Sequence, residues 1–519
     1  MDAAHPRARA IAIRGDRVIA VGSDDEIRAT IGPKTKVIDL QGRSATPGLV
    51  DAHAHLYELG QTIEAVDLRG TASAEEAAAR VGKIVASRAK DEWLLGRGWD
   101  QNLWEPKAFP TRAVLDQIVG DRPAMLERVD GHAVWVSTAA LRAAGIDRDT
   151  KDPDGGKILR DDHGEPTGVL VDNAVDLVVA KIPRDSSEVI ERRIRAAAAI
   201  AIRGGLTGVH EMGIPDDVAA VYRSLDAKHA LPLRVYAYRR GDPAHAELLR
   251  TDHPQPAGDR FEMRGVKFFV DGALGSRGAR LTDDYADDPG NRGLWVTPPD
   301  VLSHAVDDAV AGGWQVAIHA IGDAGNHAVL DAYEAALSAH PGDRRLRVEH
   351  CQVLRPDDIP RFAALGVIAS MQPTHATSDM PWAEARVGPE RIKGAYAWRS
   401  ILATGAVLAA GSDFPVEEPS PILGLYAAVT RQDKDGNPPG GWYPAQRMTL
   451  EEALRAFTVA PAFAAFAERD RGVLAPGRIA DVTVFDRALA ADRTLLRARA
   501  DLTIVGGEIT YRYEEATGE

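Results

Sequence analysis

Cysteine is almost absent from this sequence: Cys351 is the single one among 519 residues. One cysteine excludes an intrachain disulfide and a cysteine-rich zinc module, and such usage is typical of proteins from a reducing compartment. We therefore expect a cytoplasmic location.

Positive charge is also in deficit, with 62 Lys+Arg against 76 Asp+Glu and a formal net charge of −14. This balance disfavours a nucleic-acid or anionic-membrane partner, because both are negatively charged themselves. Long hydrophobic runs are missing too, since the uncharged stretches 362–378 and 400–412 are shorter than the roughly 18 apolar residues that a membrane-spanning helix needs. The first twenty residues hold three arginines before Asp16 and no continuous apolar segment, so we expect no export signal.

The two ends of the chain resemble each other. Residues 10–39 contain short alternating runs (AIAIRGDRVIAVG, TKVIDLQG) separated by glycine turns, which indicates antiparallel hairpins. The same pattern returns in GVLAPGRIADVTVFDR and DLTIVGGEITYRY near the other end. Because edge strands need partners, we expect residues 1–46 and 468–519 to form one small composite β-sandwich.

Between the ends, strand-like apolar runs alternate with helical segments. The eight candidate strands are TPGLVDAH from Thr46, LTGVHEM from Leu206, LRVYAYR from Leu233, GVKFFVDG from Gly265, WQVAIHA from Trp314, LRVEHC from Leu346, VIASMQP from Val367 and AVLAAGSD from Ala406. Near-continuous apolar runs are typical of parallel strands buried on both faces. They predict an α/β fold, a (β/α)₈ TIM barrel over residues 47–467. An open doubly wound sheet is the alternative, but no G-x-G-x-x-G follows the first strand.

Residues 71–172 separate the first strand from the approach to the second, which is far longer than an ordinary crossover. The segment contains SAEEAAARVGKIVASRA, GRGWDQNLW and DGHAVWVSTAALRAAG. Long insertions are usually lids or binding loops. We therefore expect an inserted lid or substrate subdomain over the barrel mouth.

Polar side chains stand at the predicted carboxyl ends of several strands, where a barrel carries its catalytic residues. Strand one ends in the pair His53 and His55, strand five at His319, strand six at His350 and strand eight at Asp413. A lone His-x-His pair is also common as surface or core histidines. In a strand, however, residues two apart point the same way, so both imidazoles can face one point inside the barrel. Such a set suits a catalytic Zn²⁺ or a similar divalent ion with an open position.

Lys267 lies within the fourth candidate strand, and two interpretations of it stay open. It can be a lysine paired with a neighbouring acid such as Asp271. Alternatively, burial and nearby cations depress the pKa of its amine. A neutral amine can capture CO₂ as a carbamate, an anionic ligand able to bridge two metal ions.

Taken together, the segments VDAHAHL, VKFFVDGALGS, VAIHAIGD, RVEHCQV and AAGSDFPV resemble the metal-dependent amidohydrolase superfamily. Within it, the chain is most similar to the branch that includes N-substituted formamide deformylase. The terminal segments AIAIRGDRVIAVG, ATPGLVDAHAH, MTLEEALRAFTVAPA and GVLAPGRIADVTVFD fit as well, so the resemblance spans nearly the whole chain. One local departure is Gly278 in GSRGARL, where members often have threonine.

The resemblance implies a barrel with a composite sandwich and a centre of two divalent ions, with zinc as the expected metal. The implied ligands are His53, His55 and Asp413 for one ion, His319 and His350 for the second, and carbamylated Lys267 as the bridge. A single ion is the alternative.

Five further residues are candidate substrate contacts. Gln372 and His375 in SMQPTH follow strand seven and could donate hydrogen bonds to a substrate or oxyanion, although His375 could equally cap a loop. In the insertion, Arg97, Trp99 and His132 are candidates, His132 because its DGH is similar to a motif of the branch. Tryptophans such as Trp99 and its neighbour Trp104 are more often core than pocket. At the end of strand two, we expect His210 and Glu211 to make a loop contact or a salt bridge.

We predict a metal-dependent hydrolase of an amide, N-formyl or carbamate-like carbon–nitrogen bond in a small molecule. A bound divalent ion lowers the pKa of water to about 7 and so supplies hydroxide. Asp413 would act as the general base and pass the proton to the leaving nitrogen, its alternative being a helix cap before Pro415. The alternatives are a deaminase, an ester or lactone hydrolase, or a non-catalytic binding or regulatory protein. A homodimer is expected, as for many enzymes of this size.

Overall fold

The computed structural model of the chain describes residue 1, residues 7–86 and residues 92–514. Residues 2–6 and 515–519 of the predicted terminal domain lie outside the described residues, as do residues 87–91 of the predicted insertion.

The strands within the described residues are numbered in chain order. They are β1 (Ala10–Arg14), β2 (Arg17–Gly22), β3 (Ala45–Pro47), β4 (Leu49–Ala54), β5 (Val66–Asp67), β6 (Leu94–Trp99), β7 (Ala124–Arg128), β8 (Ala133–Val136), β9 (Gly156–Arg160), β10 (Pro166–Asp172), β11 (Leu206–Ile214), β12 (Arg234–Arg240), β13 (Phe261–Phe269), β14 (Gln315–Ala320), β15 (Arg347–His350), β16 (Ile368–Met371), β17 (Leu408–Ala410), β18 (Val482–Phe485), β19 (Ala500–Val505) and β20 (Glu508–Arg512).

The α-helices follow the same numbering. They are α1 (Asp24–Arg28), α2 (Leu56–Glu64), α3 (Ala74–Val85), α4 (Arg112–Val119), α5 (Thr138–Ala144), α6 (Asp176–Val179), α7 (Ser187–Arg203), α8 (Asp216–Ala227), α9 (Pro299–Ala311), α10 (Asp323–Ala339), α11 (Ile359–Leu365), α12 (Pro373–Asp379), α13 (Ala383–Arg391), α14 (Trp398–Ala403), α15 (Pro421–Thr430), α16 (Leu450–Ala456) and α17 (Val459–Ala464). Among the described residues, no helix has the length and apolar character needed to cross a membrane.

Eight parallel strands form the central sheet in the order β4-β11-β12-β13-β14-β15-β16-β17. The first and last strands are joined by the Asp413 N–H, which donates to the His53 carbonyl over 2.7 Å, and by the His55 N–H, which donates to Phe414 over 2.9 Å. These strands are the eight predicted from the sequence, in the same order. The predicted TIM barrel is therefore confirmed.

Amphipathic helices cover the outside of the barrel. In α9 the buried residues recur at the three- and four-residue spacing of a single helix face: Leu302, Ala305, Val306, Ala309 and Val310. Strand β14 is buried at every position, as expected for a strand with neighbours on both faces. The main hydrophobic core accordingly lies between the strands and their surrounding helices.

The segment after β4 and α2 forms a second sheet in the order β5-β6-β7-β8-β10-β9. It has a hydrophobic cluster of its own, which includes Trp99, Leu126 and Trp135. The predicted insertion after the first barrel strand is thus present, and it returns to the barrel through α7.

The chain ends build two small sheets, the hairpin β1-β2 and the four-stranded sheet β20-β19-β18-β3. Ile11 and Ile13 of the hairpin pack against a cluster that includes Val482 and Leu502 of the larger sheet. Thr483 links this sheet to the barrel, because its hydroxyl donates to the Gly205 carbonyl over 2.7 Å. The domain boundaries at residues 46 and 468 stay a prediction.

Candidate metal centre

The ends of three barrel strands, β4, β15 and β17, bring their polar side chains to one point. Asp413 Oδ1 lies 3.3 Å from His53 Nε2 and 3.1 Å from His55 Nε2. His53, His350 and Asp413 each offer a ligand atom within 4.8 Å of the other two, and all three residues are buried. They form a group able to hold a metal ion.

The remaining predicted ligands extend this group. The His350 ring lies 4.8 Å from the His53 ring and 4.6 Å from the His319 ring, measured between centroids. Lys267 Nζ lies 3.5 Å from His53 Nε2. The structure thus brings all six predicted ligands into one contiguous cluster. His350 lies close to His53 and Asp413 as well as to His319, although the resemblance divides these residues between two ions.

The backbone leaves regular strand geometry at two of these residues. His350 has φ 73° and Asp413 has φ 61°, in the left-handed region that non-glycine residues seldom adopt. In a regular strand Glu349 and His350 would point to opposite faces, yet both reach the cluster. The left-handed conformation of His350 is what allows this, and such strain is typical of functional sites.

Glu349 and Arg347 form a buried ion pair behind the predicted ligand His53. His53 Nδ1 donates to Glu349 Oε2 over 2.6 Å, and Arg347 Nε donates to Glu349 Oε1 over 2.8 Å. Burial alone would raise the pKa of Glu349, but the neighbouring Arg347 and His53 outweigh it and hold that pKa well below its usual range. The carboxylate fixes the proton on Nδ1, so Nε2 of His53 faces the cluster with its lone pair.

This pair is not among the residues predicted from the sequence, although the sequence carries a signal for it. Two charged residues two positions apart within the apolar strand RVEH must share one face of that strand. Because the strand is buried, such charges need partners inside the barrel.

Gln372 has a similar place behind His350, since His350 Nδ1 donates to Gln372 Oε1 over 2.9 Å. The Gln372 residue is 3% exposed. The structure therefore shows that the amide oxygen of Gln372 orients His350. The predicted hydrogen bond from Gln372 to a substrate stays a prediction.

A model of the amidohydrolase family matches residues 36–511. The chain belongs to the amidohydrolase family. This amidohydrolase is 35% identical over 496 residues to protein LONG AFTER FAR-RED 3 from Arabidopsis thaliana, covering 93% of this chain and 85% of that protein. It is 33% identical over 516 residues to the putative amidohydrolase YtcJ of Bacillus subtilis, covering 97% and 96%. It is 28% identical over 510 residues to N-substituted formamide deformylase of Arthrobacter pascens, covering 94% and 91%.

A solved structure supports the same family. An uncharacterized metal-dependent hydrolase from Pyrococcus horikoshii superposes with a TM-score of 0.74 and 29% identity, covering 92% of this chain and 93% of that chain. The resemblance stated from the sequence is therefore confirmed. The amidohydrolase is a metal-dependent enzyme that acts on carbon–nitrogen bonds other than peptide bonds.

The residues of the amidohydrolase cluster fit a divalent cation. Ligands bound at 2.0–2.1 Å in a tetrahedral zinc site lie about 3.3 Å apart, close to the separations of Asp413 from His53 and His55. Burial, followed by the neighbouring histidines, places the pKa values of His319 and His350 well below the usual one for histidine. These imidazoles are therefore neutral, as metal ligands must be.

His55 immediately precedes α2, on the solvent side of the cluster. Burial opposes its charged form, but the carboxylates of Glu58 and Asp413 outweigh burial and raise the pKa of His55 to about 9. A cation bound beside Asp413 would replace that proton. Glu211 of β11 accepts hydrogen bonds from the N–H groups of the next two residues, Leu56 and Tyr57, so it fixes the position of this turn.

Lys267 does not pair with Asp271. The Asp271 carboxylate accepts three backbone N–H groups at 2.8–3.0 Å instead. Burial lowers the pKa of Lys267 to about 8 against the opposing effect of Glu349 and Asp413. Part of the amine is then neutral near pH 8, the form that a carbamate requires.

Arg97 of β6 connects the insertion to the site. Its Nη1 donates to Glu127 over 2.6 Å and lies 4.0 Å from Glu58, whose other oxygen lies 3.6 Å from His55 Nδ1. Its Nε is buried without a hydrogen-bond partner in the described part of the chain. The structure brings Arg97 to the edge of the centre.

Trp99 is not brought to the site. It has no exposed surface, and its indole N–H donates to the Leu126 carbonyl over 2.7 Å. Trp104, whose ring lies 5.9 Å from that of Trp99, donates to the Thr71 carbonyl over 2.9 Å. The predicted substrate contact of Trp99 is corrected to a packing role, because the inserted sheet needs an apolar core of its own.

His132 and His375 flank the cluster from two sides. The His132 ring lies 4.9 Å from the His319 ring. Burial works against its charge, but the hydrogen bond to Asp172 prevails and raises the pKa of His132. His375 Nε2 lies 3.7 Å from Asp413 Oδ2 and is buried without a hydrogen-bond partner among the described residues. A nitrogen without a partner at this position could hydrogen-bond a small molecule bound at the centre.

Proposed function

We propose that this amidohydrolase hydrolyses an amide, N-formyl or carbamate-like bond in a small molecule, with Asp413 as the general base. One observation carries the proposal: Asp413 Oδ1 lies within 3.3 Å of Nε2 of both His53 and His55. This position supports both roles in the proposal, a ligand to the cation and an acceptor for the proton of a water molecule beside it. The 28% identity to N-substituted formamide deformylase supports the N-formyl class.

When bound, a divalent cation lowers the pKa of a water molecule to about 7 and polarises a carbonyl group. Burial would raise the pKa of Asp413, but His53 and His55 hold it well below its usual range. The carboxylate is therefore ionised at neutral pH and accepts the proton of the attacking water. It then returns this proton to the leaving nitrogen. His375 Nε2, 3.7 Å from Asp413 Oδ2, is placed to hydrogen-bond the reacting group on that side.

We propose two ions, with zinc as the metal, bound as the family resemblance implies: His53, His55 and Asp413 for the first, His319 and His350 for the second, with carbamylated Lys267 between them. The short separation of Lys267 Nζ from His53 Nε2 supports the bridge. The proximity of His350 to His53 and Asp413 supports the alternative of one ion.

The test of the function is metal removal and return. Chelation should abolish hydrolysis, and Zn²⁺ or Mn²⁺ should restore it, in a panel of N-acyl, N-formyl, carbamate, ester, lactone and amidine compounds. We expect the amide-like compounds to be turned over fastest. Full activity in verified metal-free protein would refute a metal-dependent reaction, and exclusive turnover of esters or amidines would refute the proposed bond.

The carbamate has a test of its own. Isotope-labelled bicarbonate should give a carbamate carbon signal in the zinc-loaded protein, and Lys267→Ala should lose both that signal and part of the bound zinc. The matched control is Lys393→Ala, because Lys393 is an exposed lysine paired with Glu390 at the surface. Two zinc ions and full activity in Lys267→Ala would contradict the bridge.

A further inference from the structure

His132 and Asp172 form a pair where the inserted sheet meets the barrel mouth. His132 lies between β7 and β8, and Asp172 is the last residue of β10. His132 Nδ1 donates to Asp172 Oδ1 over 2.7 Å. Because the His132 ring packs against that of the ligand His319, the pair brings a side chain of the insertion directly to the metal centre.

The position of the Asp172 carboxylate is energetically unfavourable. The side chain is 1% exposed, and Oδ2 has no hydrogen-bond partner among the residues that the structure describes. A buried oxygen left without a hydrogen bond destabilises the folded protein. The backbone of Asp172 is also left-handed, with φ 49°. Costs of this kind are typical of residues retained for a function.

Two glycines of the loop after β13 leave room for this carboxylate. A Cβ atom on Gly272 would lie 2.5 Å from Asp172 Oδ2, and one on Gly278 would lie 2.8 Å from the same oxygen. Neither glycine has a positive φ. The space beside Asp172, rather than backbone conformation, therefore explains why glycine stands at position 278.

We propose that Asp172 positions His132 so that Nε2 of its imidazole contacts the scissile amide-like group of the substrate. The inference rests on the proposed function. Nε2 has no protein hydrogen-bond partner within the described ranges, and the His132 side chain is 17% exposed, so this nitrogen is open to a ligand. Asp172 is a positioning residue. Because Gly278 has no side chain, the space that the Asp172 carboxylate needs stays free.

The first test observes the imidazole in the zinc-loaded full-length protein, without substrate. Histidine labelled at its ring nitrogens gives the His132 signals, identified by their loss in His132→Ala. Asp172→Asn and Gly278→Ala should both shift these signals, because each disturbs the Nδ1 hydrogen bond. Gly275→Ala is the matched control in the same loop, since its Cβ would meet Arg128 Nη1 at 3.2 Å and not Asp172. Unchanged signals in both test variants would overturn the positioning role.

The second test measures binding of acetohydroxamate, a chelating mimic of the amide group, to the same zinc-loaded proteins. His132→Ala and Asp172→Asn should each weaken binding about tenfold or more at unchanged zinc content. The double variant should be no weaker than His132→Ala, because Asp172 acts through His132. Where Asp172→Asn does not fold, Gly278→Ala tests the same contact.

Different results would contradict the proposed function and the proposed role of His132 and Asp172. A wild-type protein that binds no zinc would contradict the proposed function. Zinc-loaded wild-type protein that does not bind the probe, or His132→Ala with wild-type affinity for it, would overturn the substrate contact. An added loss from Asp172→Asn in the His132→Ala background would overturn the positioning role.

Discussion

Single hydrogen bonds behind the ligands set the chemistry of the metal centre. Glu349 accepts the Nδ1 proton of His53, and Gln372 accepts that of His350. Each bond selects one imidazole tautomer and leaves Nε2 as the free nitrogen. Residues outside the predicted ligand set thus control whether these imidazoles can bind a cation.

Glu349→Gln should weaken metal binding about 10–100-fold, because the amide no longer fixes the His53 tautomer. It should also lower the free energy of unfolding by about 3–5 kcal/mol, since Arg347 is left buried without its counter-charge. Zinc titration and denaturant unfolding measure the two effects.

The matched control for this variant is Glu468→Gln. Glu468 also pairs with an arginine, Arg345, but its side chain is 34% exposed. Solvent screens such a pair, so the cost should stay within about 1 kcal/mol with no change in zinc affinity. Equal effects of the two variants would show that Glu349 contributes only a general ion pair.

Asp413→Asn should reduce kcat by about 10²–10⁴-fold, because an amide cannot accept the proton of the attacking water. Zinc content measured on the same samples separates this loss from loss of the cation. Asp307→Asn, which alters a partly exposed carboxylate paired with His340, should leave kcat unchanged. A zinc-replete Asp413→Asn enzyme with near wild-type kcat would remove Asp413 from the role of base.

At the scale of secondary structure, a carboxylate from the barrel strand β11 fixes the start of helix α2. Glu211 of β11 accepts the N–H groups of Leu56 and Tyr57, the first two residues of α2. These N–H groups have no partner within a helix. Since His55 immediately precedes them, the turn that carries a predicted metal ligand depends on Glu211.

Titration of Glu211 should make the free energy of unfolding depend on pH. Burial raises its pKa from 4.5 to about 7. The folded protein therefore binds more protons than the unfolded chain between these values, and this group makes the free energy of unfolding fall as pH rises from about 4.5 to about 7. The slope reaches at most about 1.4 kcal/mol per pH unit. In Glu211→Gln that part of the slope should disappear.

Denaturant unfolding at several pH values in the presence of a chelator measures this slope. Glu390→Gln, an exposed surface change, should retain the wild-type slope. A Glu211→Gln profile parallel to that of the wild type would show that Glu211 does not titrate in this window.

At the scale of the molecule, the candidate metal centre brings together strands that are distant in sequence. Its predicted ligands come from β4 and the residue after it, from β13, β14 and β15, and from Asp413 just after β17. His132 comes from the insertion. A cation at this point joins the two ends of the barrel sheet. The inserted sheet beside the centre has its own hydrophobic core, and Trp99 packs within that core.

Zinc should therefore raise the melting temperature of the whole protein. A cation that binds only the folded state stabilises it by about 2.7 kcal/mol at one hundred times its Kd. Calorimetry at increasing zinc concentration should show a rising Tm in the wild type and no rise in His53→Ala. His340→Ala, which removes a histidine outside the centre, should respond as the wild type does. A zinc-independent Tm in the wild type would contradict binding at this site.

Much of this architecture could be predicted from the sequence. The eight barrel strands follow from apolar runs, because burial on both faces leaves a local signature. The residues at the strand ends follow from the same periodicity, which located His53, His319, His350 and Asp413. The cytoplasmic location and the homodimer stay predictions.

The sequence by itself determined which segments are strands and which polar residues end them, since these properties depend on neighbours along the chain. Only the tertiary structure decided that Glu349 holds His53, that Asp172 holds His132 and that Trp99 lies in a core. These contacts join residues 296, 40 and 27 positions apart. Side chains at such separations meet only when the barrel and its insertion have packed, and no local pattern records that geometry.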